Sequence, residues 1–235
     1  MVDSERIIEP ELLDHAAPED VREILKDLAR LNRYFGGYRV LRNILREFVG
    51  AGDSFSLLDV GAASGDSGAA IRRSFPRAAV VSLDRQFSHL GGAAQPKLAG
   101  DAFHLPFRPA SFDFVFCSLF LHHFSNDEIV ELLRGFGRVA RRAVLAIDLD
   151  RGPFAFRFLP ATTWLFGWNH IFVHDGKISV QAAFKKDELL RLARRAGLAD
   201  ARVAIHRPWA RLSLVAPVSA PGDRLSDQIA ISSQR

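Results

Sequence analysis

A glycine loop separates an apolar segment from a helical one in the most regular part of the chain. Residues 57–66 read Leu-Leu-Asp-Val-Gly-Ala-Ala-Ser-Gly-Asp. Gly61 and Gly65 lack a Cβ atom, so the backbone can turn sharply and a ligand can approach it closely. The helix that follows presents unpaired N–H groups at its N-terminus, which favour an anionic group. The spacing predicts a small-molecule site at this turn.

Three kinds of glycine loop compete for this segment. A Walker loop ends in Gly-Lys-Ser/Thr, and this segment has no lysine. A dinucleotide fingerprint would place Asp66 at its third glycine, where a carboxylate would repel a pyrophosphate, so NAD and FAD are not expected. The third is an acidic residue followed by G-x-G-x-G, which Asp59, Gly61, Ala63 and Gly65 fill. By itself, this pattern also occurs in ordinary strand-to-helix turns.

Two further carboxylates follow at strand ends. Asp84 ends the next apolar run, about 20 residues after the loop, where it can accept hydrogen bonds from ribose hydroxyls. Asp101 stands in the run Gly-Asp-Ala-Phe-His-Leu-Pro-Phe at 100–107, which precedes Ser-Phe-Asp-Phe-Val-Phe at 111–116. The nearby Phe103 and Leu105 are expected to offer an apolar surface to a nucleobase.

Taken together, these runs resemble class I S-adenosylmethionine-dependent methyltransferases. The resemblance covers residues 55–150 and, more loosely, the chain to Val215. It is strongest to the small-molecule, type 11-like branch that includes the ubiquinone and menaquinone biosynthesis methyltransferases. It implies S-adenosylmethionine as cofactor and S-adenosylhomocysteine as product. Ala63 departs from the family pattern, which has glycine there.

The resemblance also implies a set of cofactor contacts. Asp84 is expected at the ribose, Asp101 at the adenine amino group, and the backbone after the fourth strand at the methionine moiety. Arg39, in the N-terminal helices, is placed at the cofactor carboxylate, with an ordinary surface arginine as the alternative. The full expected set is Arg39, Asp59, Gly61, Ala62, Ala63, Gly65, Asp84, Arg85, Asp101, Ala102, Phe103, Ser118, Leu119 and Phe120.

Methyl transfer needs positioning and, for a hydroxyl acceptor, a base. Ser-Leu-Phe-Leu-His-His at 118–123 follows the fourth strand, at the sheet edge where ligands bind. His123 is a candidate base or substrate contact, with a structural role as the alternative, whereas a structural role is favoured for His122. His174, beside Asp175, is the second candidate base.

Residues 152–180 are rich in aromatic side chains and are expected to form a lid over an apolar pocket, with Trp164, Trp168 and His170 facing the substrate. A packed core segment or a dimer contact is the alternative. Arg157 and two prolines argue against a membrane span. A catechol-type metal site would use Asp148 and Asp150, but Ser118 stands where another acid is needed, so no metal is expected.

The elements that must position these residues alternate between strand and helix. Apolar runs at 56–60, 79–83, 97–100, 112–117 and 143–147 predict parallel strands, and amphipathic runs at 67–74, 126–134 and 186–196 predict crossover helices. Runs at 201–206 and 211–215 predict a hairpin. A helical pair over 20–49 follows an irregular or loosely helical arm at 1–19, with Asp20 as N-cap. The predicted fold class is α/β, Rossmann-like, with a seven-stranded mixed sheet, an antiparallel C-terminal hairpin, helices on both faces and an N-terminal helical cap.

Composition sets the remaining expectations. The 235 residues are 48% hydrophobic and 25% charged, which fits a globular chain. The single Cys117 excludes an internal disulfide and a thiolate zinc cluster. The net charge of +4 is scattered among acidic neighbours, so no nucleic-acid partner is expected. No secretion signal is apparent, which predicts a cytoplasmic protein without a transmembrane segment, and homodimerisation is left open.

These observations predict a domain plan and a function. We expect an arm and helical cap at 1–50, a methyltransferase domain at 51–216 with the lid at about 152–180, and a disordered tail at 217–235. The expected reaction is methylation of an oxygen or carbon on a hydrophobic, aromatic small molecule. Two alternatives stay open: a protein or RNA methyltransferase, although no N/D-P-P-Y motif follows the fourth strand, and a cofactor-binding regulatory protein without turnover.

Overall fold

The apolar runs assemble into one seven-stranded mixed sheet in the computed structural model, which describes residues 5–218. The strand order is β3-β2-β1-β4-β5-β7-β6, and only β7 runs antiparallel to its two neighbours. The strands are β1 Phe55–Val60, β2 Ala78–Asp84, β3 Lys97–Ala99, β4 Phe112–Ser118, β5 Ala140–Leu149, β6 Arg202–His206 and β7 Arg211–Pro217. The predicted fold class is confirmed.

Helices cover both faces of this sheet, which is why β1 and β4 are apolar along nearly their whole length. One core cluster joins α4 and α7 to the sheet, and another joins α2 and α3 to the opposite face. The helices are α1 Pro18–Tyr34, α2 Gly37–Arg46, α3 Asp66–Ser74, α4 Asn126–Val139, α5 Pro153–Phe166, α6 His170–Ala182 and α7 Lys186–Arg195.

The register of the central strands brings their carboxyl ends to one edge. Val60 at the end of β1 pairs with Leu83 of β2 and with Cys117 of β4. On the far side of β4, Ile147 of β5 pairs with Ser118. The glycine loop, Asp84 and residues 118–123 therefore emerge side by side, as the parallel arrangement requires.

The helix boundaries differ from the predictions at two places. The first helix begins at Pro18 with Ala17 as N-cap, so the predicted cap at Asp20 is wrong; proline is well suited to the first turn because its missing N–H has no helical partner there. α4 continues to Val139 because Phe136 and Val139 extend its buried face. Ser125 and Glu128 form a capping box at its start.

The aromatic segment folds into two helices, α5 and α6, which the sequence pattern did not predict. Aromatic and aliphatic residues surround α5 on all sides, so no single apolar stripe marks it as a helix. Its inner side packs with α6 and α1 in a separate cluster centred on Ile24, Leu159, Trp168 and Phe172. We call α1, α5 and α6 the roof, because they lie over the carboxyl edge of the sheet.

Residues 5–15, here called the N-terminal arm, are fastened between α6 and the sheet edge. The Arg6 guanidinium donates to the carbonyl oxygens of Ala182 and Phe124 over 2.7 and 2.9 Å. The amides of Leu12 and Leu13 each donate to the Asp175 carboxylate over 3.0 Å. The arm thereby closes the roof from a second side.

The structure describes the N-terminal arm from residue 5 and only the first two residues of the predicted tail. Residues 12–15 of the arm form a single 3-10 turn. The predicted tail lies, from residue 219 onward, outside the described residues. Within 5–218, no helix combines the length and the apolar composition that crossing a bilayer requires.

Candidate active site

The glycine loop between β1 and α3 turns through three residues with left-handed backbone. Gly61 and Gly65 have φ angles of 66° and 73°, and Ala63 between them has a φ angle of 43°. An alanine is strained in this region because its Cβ approaches the following carbonyl oxygen. The Ala63 amide donates to Oδ2 of Asp84 over 2.9 Å, so the end of β2 holds the loop in this shape.

The two glycines are needed for different reasons. A Cβ atom on Gly61 would lie 2.4 Å from the Phe120 ring, and both residues face the central cavity. A Cβ atom on Gly65 would lie 2.5 Å from the Cβ of Ala93. Gly65 is therefore required because the loop packs closely against Ala93. It does not line the cavity, although it was expected among the cofactor contacts.

Asp59 and Asp84 form an acidic wall beneath the loop. Asp59 is 1% exposed, and its Oδ2 has no hydrogen-bond partner within 5–218. Burial, reinforced by the charges of Asp66 and Asp84, raises the pKa of Asp59 well above its ordinary value. Asp84 accepts from the Gln86 amide over 2.9 Å. An unused oxygen at the wall fits a ligand that donates hydrogen bonds, as an ammonium or a hydroxyl does.

Asp101 lies at the more open end of the cavity. Its Oδ1 accepts from the Phe103 amide over 3.0 Å, and its Oδ2 lies 2.9 Å from Nδ1 of His104. The His104 hydrogen bond, followed by that of the Phe103 amide, lowers the pKa of Asp101. An ionised acceptor beside an apolar ring suits the amino group of an adenine stacked at this edge.

A single cavity of about 1230 Å³ runs from the glycine loop to the underside of the roof. It is lined by most of the residues predicted to contact the cofactor, from four different places in the chain. These are Asp59, Gly61, Ala62, Ala63, Asp84, Arg85, Asp101, Ala102, Phe103, Ser118, Leu119 and Phe120. Twelve of the fourteen predicted contacts thus face one space.

Arg39 is outside this set. Its side chain is exposed and does not line the cavity, although its guanidinium lies 5.5 Å from the ring centroid of Trp209, which does. The placement of Arg39 at the cofactor carboxylate is therefore wrong in this structure. α2 turns Arg39 outward because Val40 and Leu41 occupy its buried face.

The polar floor of the cavity is a buried chain of acid, imidazole and acid. His122 Nδ1 lies 2.7 Å from Asp148 Oδ1, and His122 Nε2 lies 3.8 Å from Glu11 Oε1. Burial alone would lower the pKa of His122, but the Asp148 carboxylate and then Glu11 raise it to about 9. Burial would likewise raise the pKa of Glu11, whereas His122 and His123 bring it down to about 2. At neutral pH the floor therefore holds an imidazolium between two carboxylates.

The two predicted bases occupy very different positions. His123 lines the cavity next to this floor, with Nδ1 3.9 Å from Oε1 of Glu11. His174 is more than half exposed on α6, lies 3.2 Å from Asp175, and is absent from the cavity lining. The prediction for His174 is wrong, because the buried side of α6 at this turn is occupied by Asp175, which receives the N-terminal arm.

The underside of the roof is apolar, but it is not made of the predicted side chains. Trp164 is 84% exposed, His170 is exposed, and Trp168 is buried in the roof, where its indole donates to Thr162. None of the three lines the cavity, so this part of the pocket prediction is wrong. The apolar lining is Leu13, Ile24, Leu25, Leu28, Leu31, Phe35, Phe154, Phe158, Leu159 and Phe172.

Several polar residues of the cavity were missed by the sequence reasoning, and three of them matter for the site. Glu11 belongs to the arm, Asn32 to the last turn of α1, and Arg211 to the first position of β7. No local motif marks any of them, since each reaches the site only through long-range packing. The one signal available in the sequence is at Arg211, where an arginine begins an apolar run that is predicted to be a strand.

One group within residues 5–218 has the composition of a cation site. Glu11, His122 and His123 each place a ligand atom within 4.8 Å of the other two. This set is unrelated to the catechol-type set that the sequence argument considered, since Asp148 is engaged by His122. The expectation of no metal thus remains a prediction.

The comparisons with known proteins agree with this geometry. Residues 58–147 match the family model described as a methyltransferase domain, which covers the glycine loop, both following acids and the floor histidines. No curated protein matches the chain.

Solved methyltransferase structures share the fold at low sequence identity. A S-adenosylmethionine-dependent methyltransferase from Aquifex aeolicus is 18% identical at a TM-score of 0.58, with 86% of this chain and 99% of that one covered. A provisionally assigned O-methyltransferase from Nostoc punctiforme is also 18% identical at 0.58, with 77% of this chain covered. The chain spans only 56% of that structure's length.

A third structure contains a cofactor product. Magnesium protoporphyrin IX methyltransferase from Synechocystis, solved with bound S-adenosylhomocysteine, is 15% identical at a TM-score of 0.54, with 79% of this chain and 84% of that chain covered. Residues 58–147 therefore match a methyltransferase domain, and the chain shares the fold of these solved methyltransferase structures.

Proposed function

We propose that this protein is a S-adenosylmethionine-dependent methyltransferase that acts on an oxygen or carbon atom of a hydrophobic, aromatic small molecule. The observation that carries the proposal is the continuity of the cavity: one end has the predicted cofactor residues, and the other is a chamber of aliphatic and aromatic side chains beneath the roof. A chamber of about 1230 Å³ in total accommodates a cofactor together with an acceptor of modest size.

The cofactor end fits S-adenosylmethionine, which supplies an electrophilic methyl group on a positively charged sulfur. Asp84 is proposed to accept hydrogen bonds from the ribose hydroxyls and Asp101 from the adenine amino group. Asp59 supports the loop from beneath. The Ser118–Phe120 backbone and the loop at 61–63 are proposed to hold the amino-acid portion of the cofactor.

The roof end fits an apolar ring. Phe35 and Phe158 meet edge to face with ring centroids 4.7 Å apart, and both line the cavity. An aromatic acceptor gains from edge and face contacts of this kind. A closed apolar chamber also excludes water from the reacting centre, which a protein or RNA acceptor would not allow without opening the roof.

His123 is proposed to accept a proton from the acceptor hydroxyl. It stands at the cavity wall, beside the residues predicted to hold the cofactor. Asp148, His122 and Glu11 are proposed as positioning residues, because their buried ion pairs fix the floor on which His123 rests. For a carbon nucleophile, the same floor would only position the ring.

A labelled-methyl screen tests the proposed acceptor class. Purified protein is incubated with methyl-labelled S-adenosylmethionine and panels of alkylated phenols, hydroxyquinones, polar phenols, bulk RNA and unfolded protein. We expect label in the apolar phenolic panels and none in the macromolecular ones, with homodimerisation followed separately by light scattering. Label confined to RNA or protein would contradict the small-molecule proposal, and no label from any panel would favour the regulatory alternative.

A further inference from the structure

Arg211 is a completely buried cation with an unused donor on the cavity wall. It is 1% exposed at the start of β7, beside Leu149 at the end of β5, and it lines the cavity. One terminal nitrogen donates to Oδ1 of Asn32 over 3.1 Å. The other, Nη1, is buried and has no hydrogen-bond partner within residues 5–218.

No carboxylate among the described residues forms an ion pair with Arg211. The negative charge of Asp148 partly offsets the lowering of the pKa of Arg211 by burial, but the Asp148 carboxylate already accepts hydrogen bonds from His122 and from the amides of Leu121 and Leu149. Asp66 is separated from Arg211 by Asn32, whose Nδ2 donates to Asp66 over 3.3 Å. Burial lowers the pKa of Arg211 to about 10, so the side chain stays charged at neutral pH.

Arg151 shows how the same fold treats a structural buried arginine. It is 3% exposed, donates to the Ala183 carbonyl oxygen over 2.6 Å, and forms an ion pair with Glu188 over 2.7 Å. It does not line the cavity. A buried charge is normally compensated in this way because an unpaired one is costly. Arg151 also leaves its buried Nε without a partner, so Arg211 differs from it in having no carboxylate partner and in lying on the cavity wall.

We propose that Arg211, oriented by Asn32, binds the carboxylate of a ligand in this cavity. A guanidinium on the cavity wall with a donor left unpaired suits a planar oxyanion better than a neutral group. Two ligands of the proposed function can bring a carboxylate: the amino-acid end of the cofactor, and an acceptor that is an aromatic acid. The inference rests on the proposed function only for the second source.

The position of Arg211 is compatible with both sources. Through Asn32 and Asp66 its guanidinium is linked to the start of α3, directly after the glycine loop. Through its backbone it stands beside the end of β5, near the floor. The binding experiment therefore needs separate ligands for the two sources.

Calorimetry with paired ligands separates them. The first pair is S-adenosylhomocysteine and its decarboxylated analogue; the second is a hydroxybenzoate and the corresponding phenol, titrated into protein saturated with S-adenosylhomocysteine. We expect the wild type to favour the carboxylate member of one pair by about 10- to 100-fold, the effect of a hydrogen bond to a charged group. Arg211→Gln should abolish that preference, and Arg211→Lys should retain part of it.

The ratio of the two dissociation constants within a ligand pair does not depend on the fraction of the variant that is folded. A thermal unfolding curve shows beforehand whether a variant folds well enough for the titration. Loss of the first preference identifies the cofactor carboxylate, and loss of the second identifies an acidic acceptor. The proposal is overturned if Arg211→Gln leaves both ratios at wild-type values, or if the exposed Arg39→Gln variant removes the preference instead. Methyl transfer is not the readout, so failure here is distinguishable from failure of the proposed function.

Discussion

Nδ1 of His122 lies 2.7 Å from Oδ1 of Asp148, and both side chains are almost completely buried at the carboxyl edge of the sheet. The amides of Leu121, in the turn after β4, and of Leu149, at the end of β5, donate to the same carboxylate and fix its position. On the other side of the imidazole is Glu11, delivered by the N-terminal arm. The N-terminal arm, which is remote from the floor in sequence, is thus held to it by the ion pair between Glu11 and His122.

This pair predicts that stability falls in mildly alkaline solution. The pKa of His122 is raised from 6.5 to about 9 in the folded protein, so its contribution is complete below pH 6.5 and is lost as pH rises through about 9. We expect the free energy of unfolding to drop by at most about 3 kcal/mol over this interval. Urea denaturation at a series of pH values measures it. The drop should vanish in His122→Asn and persist in His174→Asn; an unchanged slope in His122→Asn would contradict the assignment.

The proposed base predicts a sharp contrast between two histidines. His123→Ala should lower turnover on a phenolic acceptor about 100-fold while the affinity for S-adenosylhomocysteine stays within a factor of two or so, since general-base catalysis contributes effects of this size. His174→Ala is the matched control on the roof surface and should behave as wild type. Single-turnover rates and calorimetry provide the two readouts. Equal losses in both variants would exclude His123 as the proton acceptor.

The two faces of α5 predict a second contrast, in acceptor binding. Phe158 lines the cavity, whereas Trp164 on the same helix is 84% exposed. Phe158→Ala should raise the acceptor KM about 10-fold or more, because a large apolar contact is lost, without changing cofactor affinity. Trp164→Ala should leave both constants unchanged. If Trp164→Ala has the larger effect on KM, the acceptor does not lie under the roof.

The left-handed backbone of Ala63 predicts a stabilising substitution. Ala63→Gly relieves the Cβ strain at a φ angle of 43° and should raise the free energy of unfolding by about 0.5–1 kcal/mol after the entropy cost of glycine is subtracted. Ala62, its neighbour, is not among the residues with positive φ, so Ala62→Gly should destabilise the protein. Denaturant titration of both variants gives the comparison. Effects of the same sign would show that Ala63 is not strained.

The charge of the floor predicts that the protein needs no metal. The pKa of His122 is raised to about 9, so a cation would have to displace its proton before Nε2 could become a ligand beside Glu11 and His123. We expect elemental analysis to give well below one metal per chain, and chelation to leave methyl transfer unchanged. One equivalent of a divalent ion that is lost in Glu11→Gln would refute this.

The parts of the site that could be predicted from the sequence are those encoded by local patterns. The glycine loop, Asp84 and Asp101 follow apolar runs at fixed spacing, and the parallel register then brings them together. Glu11 and Arg211 could not be found in this way, because nothing near either residue in the sequence indicates what it faces. Arg39 was misplaced for the same reason: a helix and a charged residue were visible, but the side turned inward was not.

The roof marks the limit of periodicity as a guide. α5 carries large apolar residues on every side, so the sequence pattern gave no means of telling Phe158, which faces the cavity, from Trp164, which faces solvent. The orientation is set by packing against α1 and α6, in which Phe35 receives Phe158. The side of α5 that faces the cavity is thus set by a tertiary contact between Phe35 and Phe158, which are more than a hundred positions apart in the chain.

The roof also lies outside the segment that matches the methyltransferase domain. Its helices come from residues 18–34 and 153–182, on either side of residues 58–147, which contain the glycine loop and the floor histidines. If the proposed function is correct, the side chains that surround the acceptor and most of those that hold the methyl donor come from separate stretches of the gene. A mutant library confined to the two flanking stretches should then alter acceptor choice while affinity for the methyl donor is kept.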